Sequence, residues 1–195
     1  LWEYEDLIAS AHERAGRSVP AREFRDKAER RGSAINKYCY YGDDITGFYS
    51  SFLFDSDFKQ GAPTGFSSMN MAYPVARGLS PVERCISTCR QMVTHHLKQG
   101  GYVASLIKVD RIQWGSPNGW PSDQDEADEA LGRTAFLTGD TKWQRYQKIG
   151  RNRWEKAQIK IFSATGKMVE KCNVVGPDPL EVMDGEYPLQ DGFLW

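Results

Sequence analysis

The residues best suited to chemistry lie between Gly115 and Gly132, in the stretch GSPNGWPSDQDEADEALG. Five acids fall within the seven residues from Asp123 to Glu129, and such a run repels itself unless it is solvated or neutralised. A solvated loop is the plain reading. The sharper one takes Gln124 and Glu126 as a Gln-x-Glu pair, because side chains two apart in an extended segment share a face. A carboxylate fixed there stabilises a sugar that turns cationic as its leaving group departs, and does so more in the transition state than in the ground state. The amide two residues earlier would orient the acceptor. A calcium loop fits less well, since the acids lack the glycine-containing pattern of an EF-hand.

A second constellation is thiol chemistry. Cys39, His95 or His96, and Asp110 stand in the chain order of many thiol hydrolases, and a cysteine at a helix N-terminus can have a lowered pKa. Against this, both histidines fall inside a helical pattern, and a cysteine among aromatics is more often core than nucleophile. A metal site from His95, His96 and Cys85 or Cys89 is disfavoured because adjacent helical side chains diverge by about 100°. Cys85 and Cys89 share one helix side, which suits burial. The even count of four cysteines leaves a Cys39–Cys172 bridge open.

The elements that must hold these residues begin with helices over Leu1–Ala15 and Ala21–Arg31, broken around Gly16 and Pro20. Their arginines alternate with acids, the pattern of a salt-bridged surface. An aromatic segment from Tyr38 to Phe58 follows, in which Asp43 or Asp44 could cap a short helix carrying Phe48, Phe52 and Leu53. Gly65–Met69 fits a short strand. Ser80-Pro81-Val82-Glu83 is a capping box with proline at the first helical position, and the apolar spacing predicts a helix to about Gln99, stopped by Gly100-Gly101. Tyr102–Asp110 reads as a strand, as do 134–138, 143–149, 157–162 and 169–175, with a hairpin-like break at Ala164-Thr165-Gly166-Lys167. Helices first and strands last imply an α+β class. The tail from Gly176, ending Phe193-Leu194-Trp195, is expected to pack back on the domain, with a partner site as the alternative.

Composition sets the outer limits. A chain of 195 residues with 40% hydrophobic content can bury a core, and one domain over 1–195 is the default. With 25 basic and 26 acidic side chains there is no bulk field for nucleic acid. No apolar run approaches the roughly 20 residues of a membrane span. The first residue is Leu1, with no basic-then-apolar leader behind it, as expected of a trimmed mature domain.

Over Gly61–Ile149 the order of pieces resembles the A chains of the heat-labile enterotoxin and cholera toxin type, which are mono-ADP-ribosyltransferases. The matching pieces are Phe66-Ser67-Ser68, the helix from Ser80, the strand Tyr102–Val109, Gln124 and Glu126 ahead of Ala130-Leu131-Gly132, and Trp143-Gln144. The resemblance implies N-terminal helices followed by a mainly antiparallel β core, and NAD as the substrate that is cleaved. It makes Glu126 the catalytic carboxylate and Gln124 the acceptor-orienting residue. Ser67 and Ser68 would brace NAD, and Arg25, in Phe24-Arg25, is the candidate for its phosphates. It further implies a protein or nucleobase acceptor and a secreted protein or one delivered into a host cell. A catalytically inactive binding module on that fold is the alternative, followed by a hydrolase using Cys39.

Overall fold

The computed structural model describes residues 1–50, 52–54, 60–63, 68–106, 116–169 and 171–178, and at 52–54, 60–63 and 68–70 it describes the backbone alone. Its helices are α1 (Trp2–Arg14), α2 (Ser18–Tyr38), α3 (Ser68–Ala76), α4 (Val82–His95), α5 (Pro121–Thr138) and α6 (Thr141–Thr165). The strands are short: β1 (Tyr40–Tyr41), β2 (Phe48–Tyr49), β3 (Phe52–Phe54), β4 (Gln60–Pro63), β5 (Leu97–Lys98), β6 (Gly101–Tyr102), β7 (Asn118–Gly119) and β8 (Cys172–Asn173). The chain divides into two compact units, 1–40 and 41–195. Among the described residues no helix is long and apolar enough to cross a membrane.

The first unit is the helical pair α1 and α2. Pro20 lies in the first turn of α2, where its missing N–H leaves no helical bond unmade. Ala21, Ala28 and Gly32 form a buried small-residue stripe on α2, and Ala9 is buried on α1. Ion pairs run in opposite directions along the two helices: Arg31 to Glu5 at 2.8 Å, and Arg25 to Glu13 at 3.0 Å and to Asp6. The salt-bridged surface expected from charge alternation is therefore what these arginines make.

In the second unit α5 packs against α3, α4 and α6. Proline opens α5 and Gly139, with φ 67°, ends it in the left-handed conformation that a glycine adopts without a Cβ clash. Asp140 then caps α6 by accepting the Lys142 N–H at 2.9 Å. The buried residues of α6 are Trp143, Gly150, Ala157, Gln158 and Ile161, a helical stripe. Val103, Ala157, Ile161, Val169, Cys172 and Val174 form a core cluster to which Leu106 and Trp154 add their apolar faces.

The expected α+β class with a β core is overturned. Residues 134–138, 143–149 and 157–162 are helix, and among the described residues of 169–175 only Cys172–Asn173 is strand. Their β-branched and aromatic residues suit a strand locally, but the burial period is helical and tertiary packing decides. The break at Thr165-Gly166 is the left-handed end of α6 (Gly166 φ 73°), not a hairpin. Gly100 lies in the turn of the β5–β6 hairpin and Gly101 opens β6, so the pair is not a helix stop: α4 already ends at His95. The capping box at Ser80 does not form, because the Ser80 hydroxyl bonds the Pro81 carbonyl at 3.1 Å. Asp43 accepts the N–H groups of Ile45 and Thr46 at 2.8 and 2.7 Å in a turn, and Phe48 continues into a strand. Ser68 opens α3 where a strand was expected. Residues 107–110 of the expected strand, and the tail beyond Asp178, lie outside the described residues.

Gly150 marks the tightest helix contact: a Cβ there would stand 2.6 Å from Cε2 of the buried Tyr102 ring. Gly150→Ala gains about 1 kcal/mol of helix propensity but drives a methyl group against the buried Tyr102 ring, which must shift to admit it. The expected net result is a loss of about 1–3 kcal/mol, read as a lower urea midpoint with unchanged helical circular dichroism.

Candidate functional site

The acidic run forms the first turns of α5, and the helix distributes its side chains to different neighbours. Gln124 and Glu126 stand about 200° apart around the axis, so the shared face assumed for an extended segment does not exist. Gln124 is buried, and its amide is spent on backbone. Its Oε1 accepts the Tyr102 N–H at 2.7 Å, and its Nε2 donates to the carbonyls of Tyr102 at 2.8 Å and Trp120 at 3.2 Å. Gly119 permits this approach, since a Cβ there would lie 2.6 Å from the Tyr102 carbonyl and 3.2 Å from Gln124 Nε2. Glu126 is ion-paired with Arg77 at 2.8 Å, and Arg77 also holds Glu129 at 2.8 Å.

Asp123 is buried, with a carboxylate oxygen that has no hydrogen-bond partner. Desolvation, and secondarily the charge of Glu126, pushes its pKa up to about 7. The helix N-terminus favours the charged form, but burial outweighs it. Such a proton affinity suits a general acid, but Asp123 does not line the cavity between α5 and α6, and its burial fits a structural carboxyl.

The opposite face of α5 opens on a cavity of about 270 Å³ lined by Tyr102, Gln124, Asp125, Asp128, Gln147, Arg151, Trp154 and Glu155. Asp128 crosses to α6, accepting from Gln147 at 3.1 Å and pairing with Arg151 at 2.7 Å. Burial, then the neighbouring Asp128, raises the Asp125 pKa. The cavity therefore joins carboxylates, a guanidinium, an amide and an indole.

The other expected site residues lie elsewhere. Arg25, the candidate phosphate grip, is engaged with Asp6, Ser10 and Glu13 within the first unit. Ser67 lies outside the described residues, and Ser68 is described only as the first residue of α3. Ala130 and Leu131 of the matched Ala-Leu-Gly are core residues of α5, and Trp143-Gln144 opens α6. Cys39 follows the C-terminus of α2, where the helix dipole opposes a thiolate, and burial raises its pKa. His96 is buried, its pKa lowered to about 4 mainly by desolvation, with Nδ1 3.3 Å from the Val103 carbonyl. Asp110 lies outside the described residues. All four cysteines are free thiols, with Cys85 and Cys89 in the core as their helical spacing suggested. Among the described residues no group of three or more His, Cys, Asp or Glu could hold a metal.

A family model for trehalases matches residues 1–195. The chain belongs to the trehalase family. Among solved structures, neutral trehalase Nth1 from Saccharomyces cerevisiae matches with a TM-score of 0.67 at 22% identity, covering 89% of this chain and 32% of that one. The chain thus spans about a third of the length of that trehalase and shares its helical fold. These findings replace the enterotoxin-type resemblance, and with it go NAD as substrate, the ADP-ribose acceptor, the inactive-transferase alternative and the Cys39 hydrolase. Of the pieces that carried the resemblance, Ser68 opens α3, Gln124, Glu126 and Ala130-Leu131-Gly132 lie along α5, and Trp143-Gln144 lies in the first turn of α6. The linking role of Asp128 and the cavity wall of Tyr102 and Trp154 have no local motif in the sequence. The helical period of α6 is the signal that would have placed Gln147, Arg151 and Trp154 on one face.

Two outcomes separate these structural roles from catalytic ones. Gln124→Ala strands the buried Tyr102 N–H and is expected to lower unfolding free energy by roughly 2–4 kcal/mol, whereas a residue that only orients an acceptor would leave the urea midpoint unchanged. For Asp123 the folded pKa lies above the ordinary 3.8, so its contribution is fully present below about pH 4 and is lost as pH rises to about 7. Asp123→Asn lacks this dependence. Between pH 5 and pH 8 the variant is expected to gain on wild type by up to about 1.4 kcal/mol per pH unit until pH 7, measured by urea unfolding at both pH values.

Proposed function

We propose that this chain is part of a glycoside hydrolase that cleaves trehalose with water to give two glucose molecules. The trehalase family match over residues 1–195 is the observation that carries this reading. The paired-helix architecture agrees with it, since the yeast neutral trehalase shares the fold. Glycosidic hydrolysis passes through an oxocarbenium-like transition state and uses two carboxyl groups, one donating a proton to the leaving oxygen and one acting on the opposite side. A carboxylate beside a cationic sugar was also the chemistry inferred from the acid run, but hydrolysis needs no nucleotide and transfers the glycosyl group to water.

The test is glucose release from trehalose by the whole protein that carries this chain, with nicotinamide release from NAD measured in parallel. Two glucose molecules per trehalose and no nicotinamide are expected. A folded protein that releases no glucose from trehalose overturns the reading.

A further inference from the structure

Helix α6 has two faces of opposite character. Trp143, Gly150, Ala157 and Ile161 form its buried stripe. On the far side, side chains alternating three and four apart make an outward row of Arg145, Ile149, Asn152, Lys156, Ile159 and Ser163, every one exposed. At about 100° per residue these six stay within about 40° of one line along the helix. Of the 25 residues of α6, seven are Lys or Arg and one, Glu155, is acidic, on a chain whose formal charge is −1. Positive charge is therefore concentrated on this helix and offset elsewhere. Near the ends of the row Lys142 pairs with Asp140 at 2.7 Å and Lys160 with Asp178 at 3.2 Å. Lys148 and Lys156 between them make no ion pair among the described residues. Ile149 and Ile159 stand in the same row, 37% and 64% exposed.

We propose that this row is a docking seam for an acidic amphipathic helix of a partner protein. Alternating three-and-four spacing is the contact period of two packed helices, and polar residues between apolar ones, here Asn152 and Lys156, set the register of such a seam. The partner lays apolar side chains on Ile149 and Ile159 and places Asp or Glu against Lys148 and Lys156. A helix answers both kinds of residue at once. A nucleic-acid duplex neutralises the lysines but sets phosphates against the isoleucines. An anionic bilayer takes up a continuous apolar strip, which Asn152 and Lys156 interrupt, and its unbroken negative charge also meets Asp140 and Asp178. None of the six residues lines the cavity between α5 and α6, so docking stands apart from trehalose hydrolysis.

The experiment titrates the whole protein that carries this chain into a fluorescein-labelled synthetic peptide of about three heptads, with Leu at the seam positions and Glu at the flanking ones, and reads anisotropy. Wild type is compared with the double variant Lys148→Glu, Lys156→Glu and with Ile159→Ser, and urea midpoints check folding. Weakening of peptide affinity by about tenfold on the double charge reversal and about fivefold in Ile159→Ser, at unchanged midpoint, supports the seam. If the charge reversal lowers the midpoint, Lys148→Gln with Lys156→Gln takes its place. No binding, or binding that survives the loss of both lysines, overturns the seam. A loss on charge reversal with no effect of Ile159→Ser overturns helix docking and leaves an electrostatic patch. Tighter, competing binding of vesicles of phosphatidylserine and phosphatidylcholine, or of a DNA duplex, overturns the choice of partner. Resistance of Lys148 and Lys156 to acetylation by an amine-reactive ester in the folded whole protein overturns the open face, because the protein's own chain then covers it.

Discussion

The Gln124 amide acts as a peptide group supplied by a side chain. It takes both backbone hydrogen bonds of Tyr102 and one carbonyl of its own helix at Trp120, so the start of α5, the β6 strand and the loop before the helix share one anchor. Buried backbone groups must be paired, and the Gln124 amide supplies the partner for the N–H and carbonyl of Tyr102. Once Tyr102 is fixed, its ring fills the space that Gly150 leaves open on α6, and the helices α5 and α6 can close on each other. Burial of Gln124 thus follows from a backbone requirement and not from the demands of an acceptor.

The acid run is stable for an equally local reason. Winding it into a helix sends Glu126 and Glu129 to Arg77, Asp128 to Gln147 and Arg151, and Asp123 inward. The repulsion that seemed to require solvent is answered by two arginines and, for Asp123, by a proton. Ion pairs as exposed as that of Arg151 add little stability each, and the apolar cluster around Val103, Ile161 and Val174 does most of the holding.

What the sequence displayed of this fold was its local part. The first two helices, the helix after Pro81 and the core position of Cys85 and Cys89 follow from period and break signals. The second half misled because Thr134, Ile149, Ile159 and Phe162 carry strand-like side chains on segments whose burial repeats as a helix, so propensity and period disagreed and packing chose. The candidate site was hidden for the same reason. Gln124 and Glu126 share a face only if the run is extended, and once it is helical the cavity partners are Asp125 and Asp128 on the same helix and Gln147, Arg151 and Trp154 some twenty residues on. A carboxylate-rich run beside a sugar cation is the shared signature of nucleotide glycosyl transfer and of glycosidic hydrolysis, and a single sequence does not separate them by that feature.

The β7–β8 pairing joins Asn118 to Asn173 and Gly119 to Cys172, and Val174 further ties to Pro117 and Gly100 at 2.9 Å each. The α5–α6 hairpin is therefore a long excursion whose two ends are stitched together at its base. Closing so long a loop carries an entropic penalty that grows with the logarithm of its length, and two short strands alone repay little of it. An already formed helical hairpin shortens the effective gap by returning the chain to its starting point. The base is thereby a lock on the hairpin: its two short strands hold together ends that the paired helices have already brought near.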